Sequence, residues 1–340
     1  YMLLVRPVRL EDHAEILALA KEAGIGMTSL PPDAEVLQHK IEHSVASFAN
    51  DKRIGKEHRF LFALEDVEAN KLVGTTGIAA HVGLSHPFYS YKLSTIVQAS
   101  GNLGIYSLQR VLHMVNDYTG ASEIGSLFLL PAYRRDGIGR FLSRCRYLML
   151  AQFPDMFSDT VISEIRGVQD EQGDSPFYKN LAQHFFQMDF QQADFINATQ
   201  GGQFISDLMP KYPIYVNLLD PKAQEAIGQP FQASRPAMEL LKTEGFRHQG
   251  YIDVFDAGPT LQAERSQIRT VQQSKYATLE RTIPDSDVIG GIKHMIGTSE
   301  LKDFSMTFAP LQEIAEGRVA LTERTAELLK LQRGSGLRYV

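Results

Sequence analysis

A single cysteine, Cys145, is all the thiol that this chain of 340 residues contains. No internal disulfide can form, and such scarcity fits a reducing, cytoplasmic setting. Tryptophan is missing altogether, which excludes nothing. No apolar run approaches the ~20 residues that a membrane-spanning helix needs, so no span is expected. The opening "YMLLVRPVRLEDH" turns charged too early for a secretory signal. A basic excess is lacking too: 34 Lys and Arg stand against 40 Asp and Glu, a net charge of −6. That balance argues against a nucleic-acid surface. The ten histidines and the lone cysteine show no tight spacing for zinc, so neither a metal nor a prosthetic group is expected. Repeats and low-complexity tracts are also missing.

What is present is material for a large core. Apolar residues make up 44% and charged ones 22%, enough for two domains or one enlarged one. "YMLLVRPV" predicts a strand, "RLEDHAEILALAKEAG" a helix stopped by Gly24, "GIGMTSLPP" a loop and "DAEVLQHKIEHSVASFA" a second helix. "HRFLFALED" and "KLVGTTGIAAHVG" read as strands, "GLSHPFYSYKLSTIVQ" as loop and strand, "SLFLLP" as a buried strand and "GIGRFLSRCRYLMLAQFP" as a long helix. "DTVISEIRG" is a strand, and "SPFYKNLAQHFF" opens a helix with Ser175 as cap and Pro176 in its first turn. "KYPIYVNLL" reads as strand or short helix, "DPKAQEAIG" and "SRPAMELLKTEG" as helices, and "YIDVFDAGPTLQAE" as a strand with a turn. Further on, "VIGGIKHMIGT" and "RVALTE" read as strands, and "TERTAELLKL" as a short helix or strand pair. The pattern predicts an α/β (α+β) protein: a mixed central sheet flanked by helices over residues 1–258, and a smaller β-rich part over 259–340.

The most informative stretch is "LFLLPAYRRDGIGRFL", Leu127 to Leu142. A buried strand runs into Arg134 and Arg135, then Gly137, Ile138 and Gly139, and straight into an amphipathic helix. Glycine lets a backbone approach a ligand closely. The first amides of a helix lack internal partners and suit phosphate oxygens, and the arginines add charge-assisted contacts. The stretch lacks the Lys-Ser or Lys-Thr end of a P-loop and the glycine spacing of a dinucleotide fingerprint. The diphosphate of coenzyme A is the better fit.

Several longer strings occur in a distinctive order: "GMTSLPPD", "VGLSHPFYSY", "DYTGASE", "LFLLPAYRRDGIGRFLSRCRYLMLAQFP", "EIRGVQDEQGDSPFY", "FFQMDF", "LMPKYPIYVNLL", "AQEAIGQ" and "YIDVFDAGPT". Over residues 2–275 the chain resembles the arginine N-succinyltransferase family, within the wider Gcn5-related N-acyltransferase group. The resemblance implies that group's fold with family-specific insertions. It also implies transfer of a succinyl group from succinyl-CoA to the α-amine of arginine, or ornithine, in arginine catabolism, by direct attack with both substrates bound. L-arginine or a related amino acid is the implied partner, with a homo-oligomer or a related second subunit as the implied assembly. Leu127 falls at a family position for succinyl-CoA binding. One departure matters: the family's proposed proton donor is a histidine, and Phe231 stands in its place within Gly228-Gln229-Pro230-Phe231-Gln232. Gln98 and Gly125 replace a common histidine and a common cysteine. An acyltransferase of altered donor or acceptor, and a non-catalytic coenzyme-binding subunit, are the competing readings.

Acyl transfer to an amine needs a base, donors for the carbonyl oxygen and a departing thiolate. Glu123, which precedes the strand "SLFLLP", and Glu164, within "VISEIRG", are candidate bases near strand ends. Ser126 to Leu130, with Leu127 and Leu129, are expected to present backbone to the pantetheine arm. Asp170 and Glu171 are candidates for the guanidinium of arginine. Arg166, Lys92 and Arg235 are candidates for the succinyl carboxylate, and Tyr89 and Tyr91 for the wall of the acceptor site. His184 and His248 receive no role, and Cys145 reads as a packed bystander.

Overall fold

The structure, a computed structural model, describes residues 2–24, 26–287 and 292–340. They form two compact units. The first comprises the residues up to Ala80 with Ser122–Asp159 and Glu264–Val340, and the second His81–Ala121 with Thr160–Ala263.

In the first unit the strands Leu3–Pro7, Arg59–Asp66, Lys71–Ala79 and Ser122–Leu129 lie side by side in that order, all antiparallel. Helices His13–Ala23 and Ala34–Phe48 cover one face. Each is amphipathic at helical spacing: Ile16, Leu19 and Ala20 on one, Leu37 and Ile41 on the other, packed on Leu61, Ala63, Leu72 and Phe128. Asp33 caps the second helix by accepting from the Val36 amide at 2.9 Å. Fully burying each large apolar side chain contributes about 1.5–3 kcal/mol. Helix Ile138–Gln152 lies over the other face, with Leu142 3.1 Å from where a Cβ on Gly74 would stand.

The chain's end builds a small closed ring. Strands Lys275–Ile283, Lys293–Thr298, Met306–Ala315, Arg318–Thr322 and Gly336–Tyr339 pair in the order third, second, fifth, first, fourth and back to the third. Leu279, Ile296, Val319, Leu321 and Leu337 fill it. Met306 also pairs with Val5, so the ring is stitched to the N-terminal strand.

In the second unit, Ser90–Ser100 and Ile105–Val115 form a long hairpin. Its inner end pairs with Arg247–Ile252, which pairs with Pro259–Glu264. Short helices surround an aromatic core of Tyr91, Phe177, Tyr178, Phe186, Phe190 and Phe255. The hairpin's outer half is bare: Val97, Leu103, Ile105, Tyr106 and Leu108 are all exposed.

The expected mixed α/β architecture is borne out. One local reading differs, one strand has no counterpart in the sequence reading, and one pair of alternatives is resolved. "SPFYKNLAQHFF" splits into Pro176–Asn180 and Gln183–Phe186, because Leu181 leaves helical geometry at φ −128° and ψ −78°. Ile105–Val115 has no strand signature because its outer half buries no face, so nothing imposes alternation. "TERTAELLKL" resolves to helix Glu323–Leu328, capped by Thr322. Of "VIGGIKHMIGT", residues 288–291 lie outside the described residues, and Lys293–Thr298 is a strand. Among the described residues no helix is long and apolar enough to cross a membrane.

Candidate active site

The strand Ser122–Leu129 ends in a turn at Pro131–Tyr133, and Arg134, Arg135 and Asp136 lead to Gly137. Asp136 and Gly137 both take left-handed backbone, at φ +51° and +77°. That pair turns the chain sharply into helix Ile138–Gln152, whose start carries no side-chain cap. Ile138 donates its amide to the Arg135 carbonyl at 3.0 Å and is itself buried. The amides of Gly137, Gly139 and Arg140 donate to nothing among the described residues. A helix start with unspent donors is an anion site in its chemistry. Arg134 spends Nε on the Leu129 carbonyl at 2.9 Å, which orients its guanidinium. Arg135 is exposed beside Asp136 at 3.9 Å, and Arg140 is exposed on the first helical turn. The Leu129 side chain is core, packed 3.8 Å from where a Cβ on Gly139 would stand.

Along the same strand the ladder with Lys71–Ala79 is interrupted. Thr75 pairs with Phe128 and Gly77 with Gly125, so Ser126 and Leu127 together oppose Thr76. This is a β-bulge, with Ser126 at φ +53°. Thr75 Oγ1 donates to the Ser126 carbonyl at 2.7 Å and holds it. Gly125, Ser126 and Leu127 are half-buried, between the buried Ile124 and Phe128. The strand therefore offers an irregular, reachable patch just before the phosphate-type turn. Glu123 is half-buried on this strand and interacts electrostatically with Lys40.

In the second unit Glu164 is half-buried at the end of strand Thr160–Glu164 and contributes to the field that raises the Tyr118 hydroxyl, after burial, Tyr251 and Asp117. Arg166, expected to meet an acyl carboxylate, is paired with two acids of the protein. Nη1 and Nη2 donate to the two oxygens of Asp194 at 2.9 and 2.6 Å, and Nε lies 3.5 Å from Asp256. Burial lowers the Arg166 pKa, but the acids more than offset it and the net shift is upward. Asp256 also accepts from the amides of Gly167 and Gly258 at 2.9 and 2.8 Å. Asp253 accepts from the Phe255 and Asp256 amides; burial, then Asp256, pushes its carboxyl up to about 7. These three acids escaped the sequence reading; their signal was carboxylates inside apolar strings such as "YIDVFDAG".

Tyr91 is also corrected: it is 1% exposed, edge-on to Phe177, and packs the core out of a substrate's reach. Tyr89 is half-buried and donates to Ser206 Oγ at 3.1 Å. Lys92 is spent on the Gln249 carbonyl and lies 4.1 Å from the Tyr251 ring centre. Asp170 mainly shapes its own loop, one oxygen accepting from the Gln172 and Asp174 amides. Glu171 is exposed at that loop's tip with no partner among the described residues. Phe231 is half-buried, its amide donating to the Arg166 carbonyl at 2.6 Å. The segment carrying it is thereby pinned beside the end of the Glu164 strand, with Pro230 bridged to Gly167.

Comparison with known proteins agrees with this geometry. The family model "Arginine N-succinyltransferase beta subunit" matches residues 3–270. An arginine N-succinyltransferase of Yersinia enterocolitica is 41% identical, covering 89% of this chain and 87% of its own. The Pseudomonas aeruginosa arginine N-succinyltransferase subunit beta is 38% identical over 99% of this chain and 98% of its own. The solved structure of arginine/ornithine succinyltransferase subunit AI from Pseudomonas aeruginosa superposes with a TM-score of 0.89, at 35% identity, covering 100% of this chain and 98% of that one. Matches that run the length of the chain, and include the glycine turn with its bare amides, leave one assignment: the chain belongs to the arginine N-succinyltransferase family.

Proposed function

We propose that the chain transfers the succinyl group of succinyl-CoA to the α-amine of L-arginine, with ornithine as a second acceptor. The observation that carries the coenzyme half is the set of unspent amides at Gly137, Gly139 and Arg140 behind the arginine pair. The diphosphate accepts from them, with Arg134 and Arg135 alongside. The pantetheine arm then runs back along Leu129 to Ser126. There the bulge frees backbone at Leu127 to meet the thioester oxygen as negative charge develops.

Glu164 is the proposed base. It takes a proton from the α-ammonium, and the amine attacks the thioester carbonyl carbon. The C–N bond forms, the C–S bond breaks, and the second proton shed by the attacking nitrogen ends on the departing thiolate. Phe231 carries no exchangeable proton, so acid–base work falls to a carboxylate, with Glu123 the other candidate. Glu171, with Asp170 beside it, receives the guanidinium in exchange for the loose 3.9 Å contact between Asp170 and Lys179, and Tyr89 borders the acceptor. An assembly with a second copy or a related subunit fits the apolar outer half of the hairpin.

The test is thiol release from succinyl-CoA with arginine or ornithine. Turnover should require both substrates, and Glu164→Gln should lower kcat by about a hundredfold or more. Arg135→Ala should weaken coenzyme A binding about threefold by calorimetry, modest because the side chain is more than half exposed. No turnover above background with either acceptor refutes the function, and unchanged binding in R135A removes Arg135 from the site.

A further inference from the structure

Three strands of the first unit bring residues 59, 79 and 123 into one row. Arg59 lies opposite Ala79, and Ala79 opposite Glu123, across adjacent antiparallel strands. Directly opposed residues project from the same face. One step nearer the bulge, the next row on that face is Leu61, Gly77 and Gly125. The centre of this surface is therefore floored by Gly77, Gly125 and Ala79; the Ser126 side chain borders it, 3.5 Å from where a Cβ on Gly77 would stand, and the space over Gly125 is open. Gly125 has no crowding reason to be glycine: nothing lies within 4 Å of where its Cβ would stand, and its φ is not positive. Its effect is to leave space.

At the end of that space stand two cations. Lys40 projects from helix Ala34–Phe48, which packs on this face, and senses both Arg59 and Glu123. Lys40 is half-buried, yet neither it nor Arg59 makes a side-chain hydrogen bond or ion pair among the described residues. Burial first, then Arg59, pulls the Lys40 ammonium down to about 8, against the pull of Glu123. The half-buried Lys40 and the exposed Arg59 both stand near Glu123 there, so a second carboxylate entering this end would meet net positive charge.

The direction matters as well. The phosphate-type turn follows the strand's C-terminal end, so a coenzyme arm laid back along it reaches Ser126 first. The acyl group then points over Gly125 toward the row that holds Glu123. We propose that Lys40 and Arg59 bind the distal carboxylate of the acyl group, making the Gly77–Ala79–Gly125 floor the pocket that selects a dicarboxylic donor. This deepens the acyl-transfer reading and rests on it. The carboxylate of the amino-acid acceptor has the same chemistry, and the test separates the two.

The test compares Lys40→Met, which removes charge at nearly constant length, with Lys40→Arg, which keeps it. For Lys40→Met, the KM for succinyl-CoA should rise about tenfold to a hundredfold, the effect of losing a charge-assisted contact. The KM for arginine should move less than about twofold, and preference for succinyl-CoA over acetyl-CoA should narrow. Lys40→Arg should recover most of the loss. Coenzyme A, which has no acyl carboxylate, should inhibit wild type and variant equally, showing that the variant is folded and its phosphate site intact. Gly125→Val should depress succinyl-CoA use by filling the floor. Unchanged constants in Lys40→Met, or a rise confined to the KM for arginine, overturns the proposal while the coenzyme reading stands. Failure of wild type to bind coenzyme A overturns both.

Discussion

Replacing Asp194 by alanine tests whether Arg166 is a structural cation. Asp194 accepts two hydrogen bonds from one guanidinium, at 2.9 and 2.6 Å. The side chains are 4% and 16% exposed, so solvent screens the pair little. Removing one partner of a buried pair costs about 3–5 kcal/mol, chiefly because a charge is left behind. Here the stranded guanidinium keeps Asp256 at 3.5 Å and the Phe190 ring at 5.0 Å. The lower end applies, about 3 kcal/mol, or about a hundredfold in the folding equilibrium. Urea unfolding followed by circular dichroism measures it. The double variant Arg166→Met with Asp194→Leu should be more stable than Asp194→Ala, because an apolar pair strands no charge at this site. Asp194→Ala within about 0.5 kcal/mol of wild type, or a double variant no better than the single one, would refute the reasoning and return Arg166 to the list of substrate ligands.

Two further outcomes follow from burial. The Asp253 carboxyl is raised to about 7 from 3.8 by burial and then by Asp256. A carboxyl raised on folding binds its proton more tightly in the folded state. Its contribution is full below pH 3.8 and is lost as pH climbs through 7. Asp253→Asn keeps an oxygen for the Phe255 and Asp256 amides, so its stability relative to wild type should improve between pH 5 and pH 8. A flat difference in urea midpoints over that range would exclude the shift. The Cys145 thiol is buried and pushed up to about 12 by that burial. It should stay silent to an aromatic disulfide reagent in native protein at pH 8 and react on unfolding; prompt native labelling would show the helix opening.

What could be read from the sequence was what depends on neighbours in the chain. The turn Arg134–Gly139 needs left-handed backbone and a helix start within a few residues, and glycine states that locally. The two-helix face of the first unit was legible for the same reason, through Ile16, Leu19, Leu37 and Ile41. Arg166 was misread because its partners, Asp194 and Asp256, come from other elements that only packing brings together. Tyr91 packs against Phe177, the common fate of an aromatic residue on a strand, and the sequence alone does not separate that from a place in the acceptor wall. The Arg59–Ala79–Glu123 row depends on the register of three strands, which no one of them encodes.

The seam between Val5 and Met306, reinforced by Thr307 donating to the Leu3 carbonyl across 304 positions, has a consequence for biosynthesis. Strand Leu3–Pro7 must wait for a partner made some 304 residues later before its second edge is covered. Residues 81–121 and 160–263, by contrast, have all emerged before that partner is translated. Until Met306 is translated the nascent chain therefore carries an unpaired strand edge, the kind of surface that general chaperones hold.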